Sequence, residues 1–562
     1  MAAQEPGSNT ISARATLAEA AALALLATLP VFPYVTFLLR TGVPRFGLFG
    51  DFALLEQATR HVWTGDALLG PYSRFHWHHP GPLFFYFVAP FEAAFGPAST
   101  GLYVGTCFVN AVSAAVVVAC ARLFGTRAHG AAALAVVLAW FAAFGNVSAN
   151  PWNPLAVVLP MMAYLLAVAI FARGTSAAVY PAVVFGALVM QMHIAVTTTV
   201  LATATIALAA FIVGGRWRRA SASDPLLDRR ERGRLATATL LLLVLFAPPI
   251  VEQLTAREQG NLTRIASFFL SRSEPHKPLM VALQHWTLAT SWLPDRLVSG
   301  ALVEEGYIPL GMRWDAVPAR ITATARTLTL LHIALTVLAA LVAWRKRDTV
   351  SLSILVFGAL ANAIAVSALQ AVVGVSYHYL VFWTTAGSSI AWLGVLSVLF
   401  SAIAEIRIAT AWIRAAVSVT AVALAVVAAT TTTSLQRRWF QKYPVAPASR
   451  PPERADLRAI YESLRARLGA DQVPVIHAEG AWDMAYATIL ELEKDGAEVR
   501  VPEVQRWIYA GVRSPEGLEK QLHVWFSTTP LPLPFAGCLR VVSKSGDISM
   551  YTSPSASPCE HR

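Results

Sequence analysis

The chain has 562 residues, of which 56% are hydrophobic and only 14% charged, with a net charge of +11 and a mean hydropathy of +0.53. Soluble domains run at about 45–50% apolar and about 25% charged residues, so these values exclude an ordinary soluble protein and point to many membrane spans. The arginines gather in short loops between apolar runs, not in a basic polar domain interleaved with aromatics, so nucleic acid is set aside as a partner.

Residues 1–16 are polar, and Arg14 precedes the first apolar run, about 17–40. That run lacks a small-residue cleavage site and reads as a retained span with a cytoplasmic N-terminus. An outer loop, 41–99, follows. Within it, Leu83–Phe95 is apolar but too short to cross a ~30 Å hydrocarbon core, and is expected to lie in the outer interface with its aromatic side down. Span two, about 100–121, ends inside at Arg122 and Arg127. Span three, about 128–144, returns to a Pro- and Asn-rich turn containing Asn150, Trp152 and Asn153. Span four, about 155–172, ends at Arg173. The run 177–214 is too long for one span and breaks near Gln191-Met192-His193, giving spans five and six.

The loop 216–234 carries Arg216, Arg218, Arg219, Arg229, Arg230, Arg232 and Arg234, the strongest cytoplasmic marker in the chain. Span seven, about 235–250, leads to a second long outer loop, 251–325, with Glu252, Arg257, Asn261, Arg264, His276, His285, Glu304 and Glu305. Spans eight (326–344), nine (350–373), ten (380–402) and eleven (415–433) follow. Arg345-Lys346-Arg347 lies inside and Tyr377-His378-Tyr379 outside. From 436 onward charge rises and prolines mark a linker. Leu457, Ile460, Leu464 and Leu468 give one apolar helix face over 453–469. Val473–Ile476, Glu498–Val501, Trp525-Phe526 and Leu539–Val542 read as strands. The expected fold is therefore mainly α. A polytopic cell-membrane unit of about eleven transmembrane helices, 1–435, carries a small extracytoplasmic α+β domain, 436–562. Cys107 and Cys120 read as small apolar packing residues, and Cys538 and Cys559 can pair if their domain is outside.

The densest chemistry lies between Gly50 and Pro90. Asp51, just past span one, is placed to take a proton from an acceptor hydroxyl, or else to cap a helix beginning at Phe52. Glu56, one turn on, can orient an acceptor or a cation, or belong to a solvated face. His76, His78 and His79 have spacing suited to a divalent metal, to a lipid phosphate, or to an interfacial aromatic belt around Trp77. Arg74 is a further cation for a phosphate whose bond to a sugar is breaking. Arg264 and His378 fall at outer span ends, where they can join the same pocket. No cofactor is required by this chemistry, although a divalent metal at His76 and His78 is an open alternative.

The order Gly50-Asp51, Gly65-Asp66, then His79-Pro80-Gly81-Pro82 before an aromatic-rich helix resembles the GT-C superfamily of polyprenyl-phosphate-sugar-dependent transferases. Its nearest look-alikes are the protein O-mannosyltransferases and the lipid A aminoarabinose transferase. The resemblance implies that Asp51 matches the family's catalytic acid, His79 its phosphate-side lysine, and His78 a position where some members place a metal-binding glutamate. Phe52 stands where the family has a second acid. The expected function is transfer of a sugar from a polyprenyl-phosphate donor to an extracytoplasmic glycan, lipid or protein, with inversion and Asp51 as base. The competing class is a lipid or glycan transporter, which more often shows two similar halves and mid-membrane polar groups.

Overall fold

The computed structural model describes residues 6–144, 147, 149–218, 227–256, 259–271, 274–293, 319–405, isolated positions within 419–434, 451–509, 515, 520–529, 539–543 and 548–553. Among the described residues, eight helices are long and apolar enough to cross a membrane: Ala13–Thr41, Thr100–Phe124, Arg127–Phe144, Asn153–Ala172, Ile194–Gly215, Ile321–Arg345, Thr349–Gln370 and His378–Glu405. A pair bent by 49°, Arg229–Leu245 with Ala247–Thr255, makes a ninth if taken as one span. The expected fifth span is the shorter apolar helix Ser176–Met192. Most of the expected eleventh lies outside the described residues.

Asn153–Ala172 is the axis of the bundle. It is apolar on all sides and every residue of its 18-residue apolar core is buried, as expected of a helix surrounded by others. Thr100–Phe124, Val179–Met192, Thr349–Gln370 and Thr385–Glu405 pack around it. At 1.5 Å per residue it spans about 30 Å, so its two ends mark opposite faces of the bundle. The Ala172 end is basic: the Arg173 guanidinium donates to the Phe124 carbonyl, Arg234 to Ser176 Oγ, and Arg122 and Arg127 clasp Glu19. The Asn153 end carries the 41–99 loop. The break expected near Gln191–His193 is present, with His193 extended at φ −151°, ψ 114° between two helical runs.

The 41–99 loop folds as a helix, a hairpin and a second helix. The loop helix, Gly50–Arg60, is followed by β1 (Tyr72–Ser73) and β2 (Trp77–His78), paired antiparallel. Ser73 opposes Trp77, so Arg74, Phe75 and His76 form a three-residue turn, and His76 takes its left-handed position at φ +62°. The second helix is Leu83–Phe95. Phe84 and Phe85 are 0% exposed and face the protein, because small residues at Gly101 and Gly105 let the helix press onto Thr100–Phe124.

The C-terminal domain is α+β, as its composition predicts. Leu457, Ile460 and Leu464 of the helix Pro451–Arg465 are fully buried. A four-stranded sheet runs in the order β3 (Val473–Glu479), β4 (Gln521–Ser527), β6 (Ser549–Ser553), β5 (Leu539–Val542). β3 and β4 are parallel, which demands a crossover, and the helix Trp482–Lys494 lies on it. Glu498–Val501, expected as a strand, makes only a single bridge between Val475 and Arg500. β6 was not foreseen. Cys107 and Cys120 are buried free thiols, while Cys538 and Cys559 lie outside the described residues.

Candidate active site

The C-terminal domain sits directly on the loop helix. Its helix Trp482–Lys494, the docking helix, runs alongside Gly50–Arg60 in the same direction: Asp483 meets Gly50, Gln57 Nε2 donates to Glu493 at 3.1 Å, and Lys494 Nζ lies 3.0 Å from Glu56. A pocket opens between loop and domain. Its walls include Asp51, Leu54, Tyr72, His78, Asn153 and Ile508.

Asp51 lies in the first turn of the loop helix, but it is not the cap. Phe49 occupies the N-cap, and no side chain caps there. The Asp51 carboxylate instead accepts a 2.9 Å hydrogen bond from Trp152 Nε1. Trp152 is aimed by the turn before it, where Asn150 Oδ1 accepts the Trp152 backbone N–H at 2.9 Å. Among the described residues Asp51 has no ion-pair partner. Burial pushes its carboxyl above the ordinary aspartate range; the Trp152 hydrogen bond pulls it back, and the negative charge of Asp483 raises it further.

Aromatic rings frame this carboxylate. Trp152 packs on Tyr379 with ring centroids 4.5 Å apart, and Tyr379 stacks on Tyr377 at 5.6 Å. On the other side Tyr72 stacks on Trp507 at 5.6 Å and meets Tyr486 edge-on at 6.4 Å. Arg74 is exposed beside them. Its guanidinium lies 5.0 Å from the Phe75 ring and 3.5 Å from where a side chain on Gly374 would begin. Tyr379 feels both Arg74 and Asp51 electrostatically, which places the three around one opening.

The remaining expected residues stand elsewhere or do other work. Glu56 is not at the pocket; its carboxylate is fully buried and pairs with Arg60 at 2.9 Å and with Lys494. Arg60 also holds Glu92, and Lys494 also reaches Glu491 and Ser99. Burial alone would push Glu56 up, but Lys494 and Arg60 outweigh it and hold the carboxyl below its ordinary value. Glu92, beside that charge, is pushed up to about 8 by burial and then by Glu56. These contacts make a buried ion network where a solvated face was the alternative.

His78 and His79 are likewise built into the frame. His78 Nδ1 lies 3.0 Å from the Gly70 carbonyl and Nε2 lies 2.6 Å from the Trp507 carbonyl, and the single N–H of a neutral ring donates to one of the two. Asn261 holds the same residue by its backbone, accepting its N–H at 2.8 Å and donating to its carbonyl at 2.9 Å. His79 Nδ1 accepts the Ile194 N–H at 3.0 Å, which requires that nitrogen to be unprotonated. Burial, then the neighbouring His193 and His78, keep the His79 imidazole well below its ordinary range. The His79 ring is thus neutral, and its Nδ1 serves the helix break at His193. Backbone crowding supports the same frame, since a side chain on Gly70 would meet the Gly81 and His79 carbonyls at 2.6 Å.

His76 takes its place in the hairpin turn with its ring tilted against Trp507 at 4.0 Å, while both His78 nitrogens face carbonyls. Among the described residues no group of three or more His, Cys, Asp or Glu side chains has metal-binding geometry. Arg264 donates from Nε to the Gln259 carbonyl at 2.8 Å and stands near His78, electrostatically coupled to it. His378 is buried with its ring against Phe382 at 5.6 Å, and its neighbours Tyr377 and Tyr379 are the side chains on the pocket side. Trp152, Tyr72, Tyr379, Asp483, Tyr486 and Trp507 complete the site. Only the Trp152 turn and the Tyr377–Tyr379 run left a sequence signal.

No family model and no curated protein matches the chain. Among solved structures it is similar to ArnT from Cupriavidus metallidurans bound to undecaprenyl phosphate, with a TM-score of 0.44 and 12% identity over 97% of this chain and 99% of that one. The apo state of the same protein gives a TM-score of 0.39 at 12% identity over 98% and 100%. At such values no residue role passes from one chain to the other, and the chemistry below is that of this chain's own side chains.

Proposed function

We propose that this protein is an integral-membrane glycosyltransferase. It moves a sugar from a polyprenyl-phosphate donor to a hydroxyl on an extracytoplasmic glycan, lipid or protein. The observation that carries the reading is Asp51: a half-buried carboxylate with one neutral donor, no ion pair among the described residues, and a ring of aromatics around it. The donor class rests on the order of motifs from Gly50 to the Phe84-Phe85-Tyr86 run.

In this mechanism the acceptor hydroxyl attacks the anomeric carbon from the face opposite the phosphate. The bond from that carbon to the phosphate oxygen breaks, and the configuration inverts. Asp51 takes the hydroxyl proton as the new bond forms, for which a raised carboxyl is better suited than a free aspartate. Trp152 holds the carboxylate in place through its N–H. The tyrosine and tryptophan faces suit the apolar C–H faces of a sugar. The negative charge that grows on the departing lipid phosphate is met by Arg74, with Arg264 as a second cation further along the rim. In the same reading the basic end of the bundle lies in the cytoplasm, and the pocket and C-terminal domain lie outside.

The experiment is transfer by the purified protein in nanodiscs, with a panel of polyprenyl-phosphate sugars and cell-envelope acceptors. Mass analysis of envelope glycans from a deletion strain identifies the missing sugar. Donor consumption that survives Asp51→Asn unchanged, or a full set of envelope glycans in the deletion strain, overturns the assignment.

A further inference from the structure

Two helices meet at their N-termini above the pocket. The loop helix and the docking helix lie side by side and run the same way, so their positive dipole ends are adjacent. Each bears an acid in its first turn, Asp51 in one and Asp483 in the other. The approach is close enough to dictate the residue between them. Gly50 has φ +53°, and a side-chain carbon there would stand 2.8 Å from Asp483 Oδ1 and 3.4 Å from its Cγ. A side chain at this left-handed position would be strained and would displace the Asp483 carboxylate from the backbone that begins the loop helix. The N-cap of the docking helix, Ala481, offers no side chain to that helix end, and among the described residues Asp483 has no ion-pair partner.

We propose that Asp483, set against Gly50 at the head of the loop helix, is a positioning residue of the active site that acts on the reaction through Asp51. The proposal rests on the reading of Asp51 as the general base. It gives the C-terminal domain a place in the chemistry: the site is complete only when the domain is docked. The groups that face Asp51 from the elements around it are Asp483 and Tyr486 on the docking helix, Tyr72 and His78 on the hairpin, and Tyr379 and Arg74 at the rim. Of these, Asp483 is an acid and Arg74 a base, so the two act in opposite senses, while burial keeps His78 below its ordinary range. Asp483 is itself raised by burial and by Glu453. It charges as the medium rises through its own titration, and Asp51 becomes harder to ionise as it does so.

The test is the pH dependence of the full-length protein. Asp483→Asn removes a negative charge beside Asp51, so the acid limb of kcat/KM should move to lower pH by on the order of one unit. Asp483→Glu should keep the limb near its wild-type position. A structural role alone would lower the yield or melting temperature of Asp483→Asn and leave the limb where it was. A second readout does not need a substrate. The carboxyl infrared band that vanishes in Asp51→Asn reports the Asp51 titration directly, and it should shift to lower pH in Asp483→Asn. An unmoved limb and an unmoved band overturn the proposal even if transfer is normal. A shifted band in a protein that transfers no sugar leaves the coupling standing and removes the glycosyltransferase reading.

Discussion

Asp51 and Glu56 share one eleven-residue helix, the first half-buried and the second fully buried, and their surroundings are opposite. Glu56 lies among cations: Arg60 from its own helix and Lys494 from the docking helix meet it, and Glu92 and Glu491 share those cations in turn. Asp51 meets an indole N–H and another acid. The cations lock the first carboxylate in its ionised form, where it can hold two domains together but cannot accept a proton at neutral pH. Their absence leaves the second poised to accept one. The same residue chemistry becomes cement or base according to what the tertiary fold sets opposite it.

The largest effect that can break this contrast is at Asp51. Asp51→Asn should lose about 10²–10⁴-fold in transfer rate while folding and inserting normally, since general-base catalysis is worth about that much. Rates measured in nanodiscs, with melting curves as the control, decide it. At Glu56 the expected loss is of stability. Glu56→Ala leaves Lys494 and Arg60 in a buried site with fewer partners, at a cost of about 3–5 kcal/mol, seen as a large drop in melting temperature. Replacing Glu56 and Lys494 together by Met should recover much of that loss. If Glu56→Ala instead melts normally but transfers nothing, the roles of the two acids are reversed.

A smaller effect sharpens the comparison at Trp152. Trp152→Phe keeps the ring and removes the N–H that steadies the Asp51 anion. A hydrogen bond to a charged group contributes about 1.5–3 kcal/mol, so the acid limb of the rate profile should rise by about one to two pH units. That direction is opposite to the one expected for Asp483→Asn, and the pair of profiles separates a donor from a charge. The smallest expected effect is at His79. Its folded-state imidazole is held well below the ordinary value near 6.5, so the unfolded chain binds a proton first as pH falls. Stability from this group is therefore complete above about 6.5 and declines below it, by up to about 1.4 kcal/mol per pH unit. Melting temperatures between pH 8 and 5 should fall toward acid, and less steeply in His79→Gln. A wild-type melting temperature flat across that window would contradict a neutral buried His79.

Much of the architecture was legible from residue order alone. Runs of apolar residues near 20 long must be helices in a bilayer, because no other backbone satisfies its own hydrogen bonds there, and the extended break at His193 fell where the run was too long for one crossing. The α+β nature of the last 127 residues followed from the Leu457, Ile460, Leu464 stripe and the short β-rich runs after it. The pairing of strands did not. Glu498–Val501 has strand composition but finds only one bridge, and β6 has ordinary composition but finds two partners.

Within the site, the sequence by itself determined that Asp51 stands at the head of a helix beside an aromatic-rich loop, since position and residue type are local properties. It could not tell Asp51 from Glu56, because much of what distinguishes them arrives from distant segments, Trp152 and Asp483 for the one and Lys494 for the other. Nor could it tell a cationic histidine from a neutral one. His79 is the strongest case: its motif suggests a phosphate contact, but the Ile194 N–H that fixes its tautomer belongs to a helix 115 residues on. Charge state is set by burial and by the partner across the contact, and both exist only when distant segments are brought together.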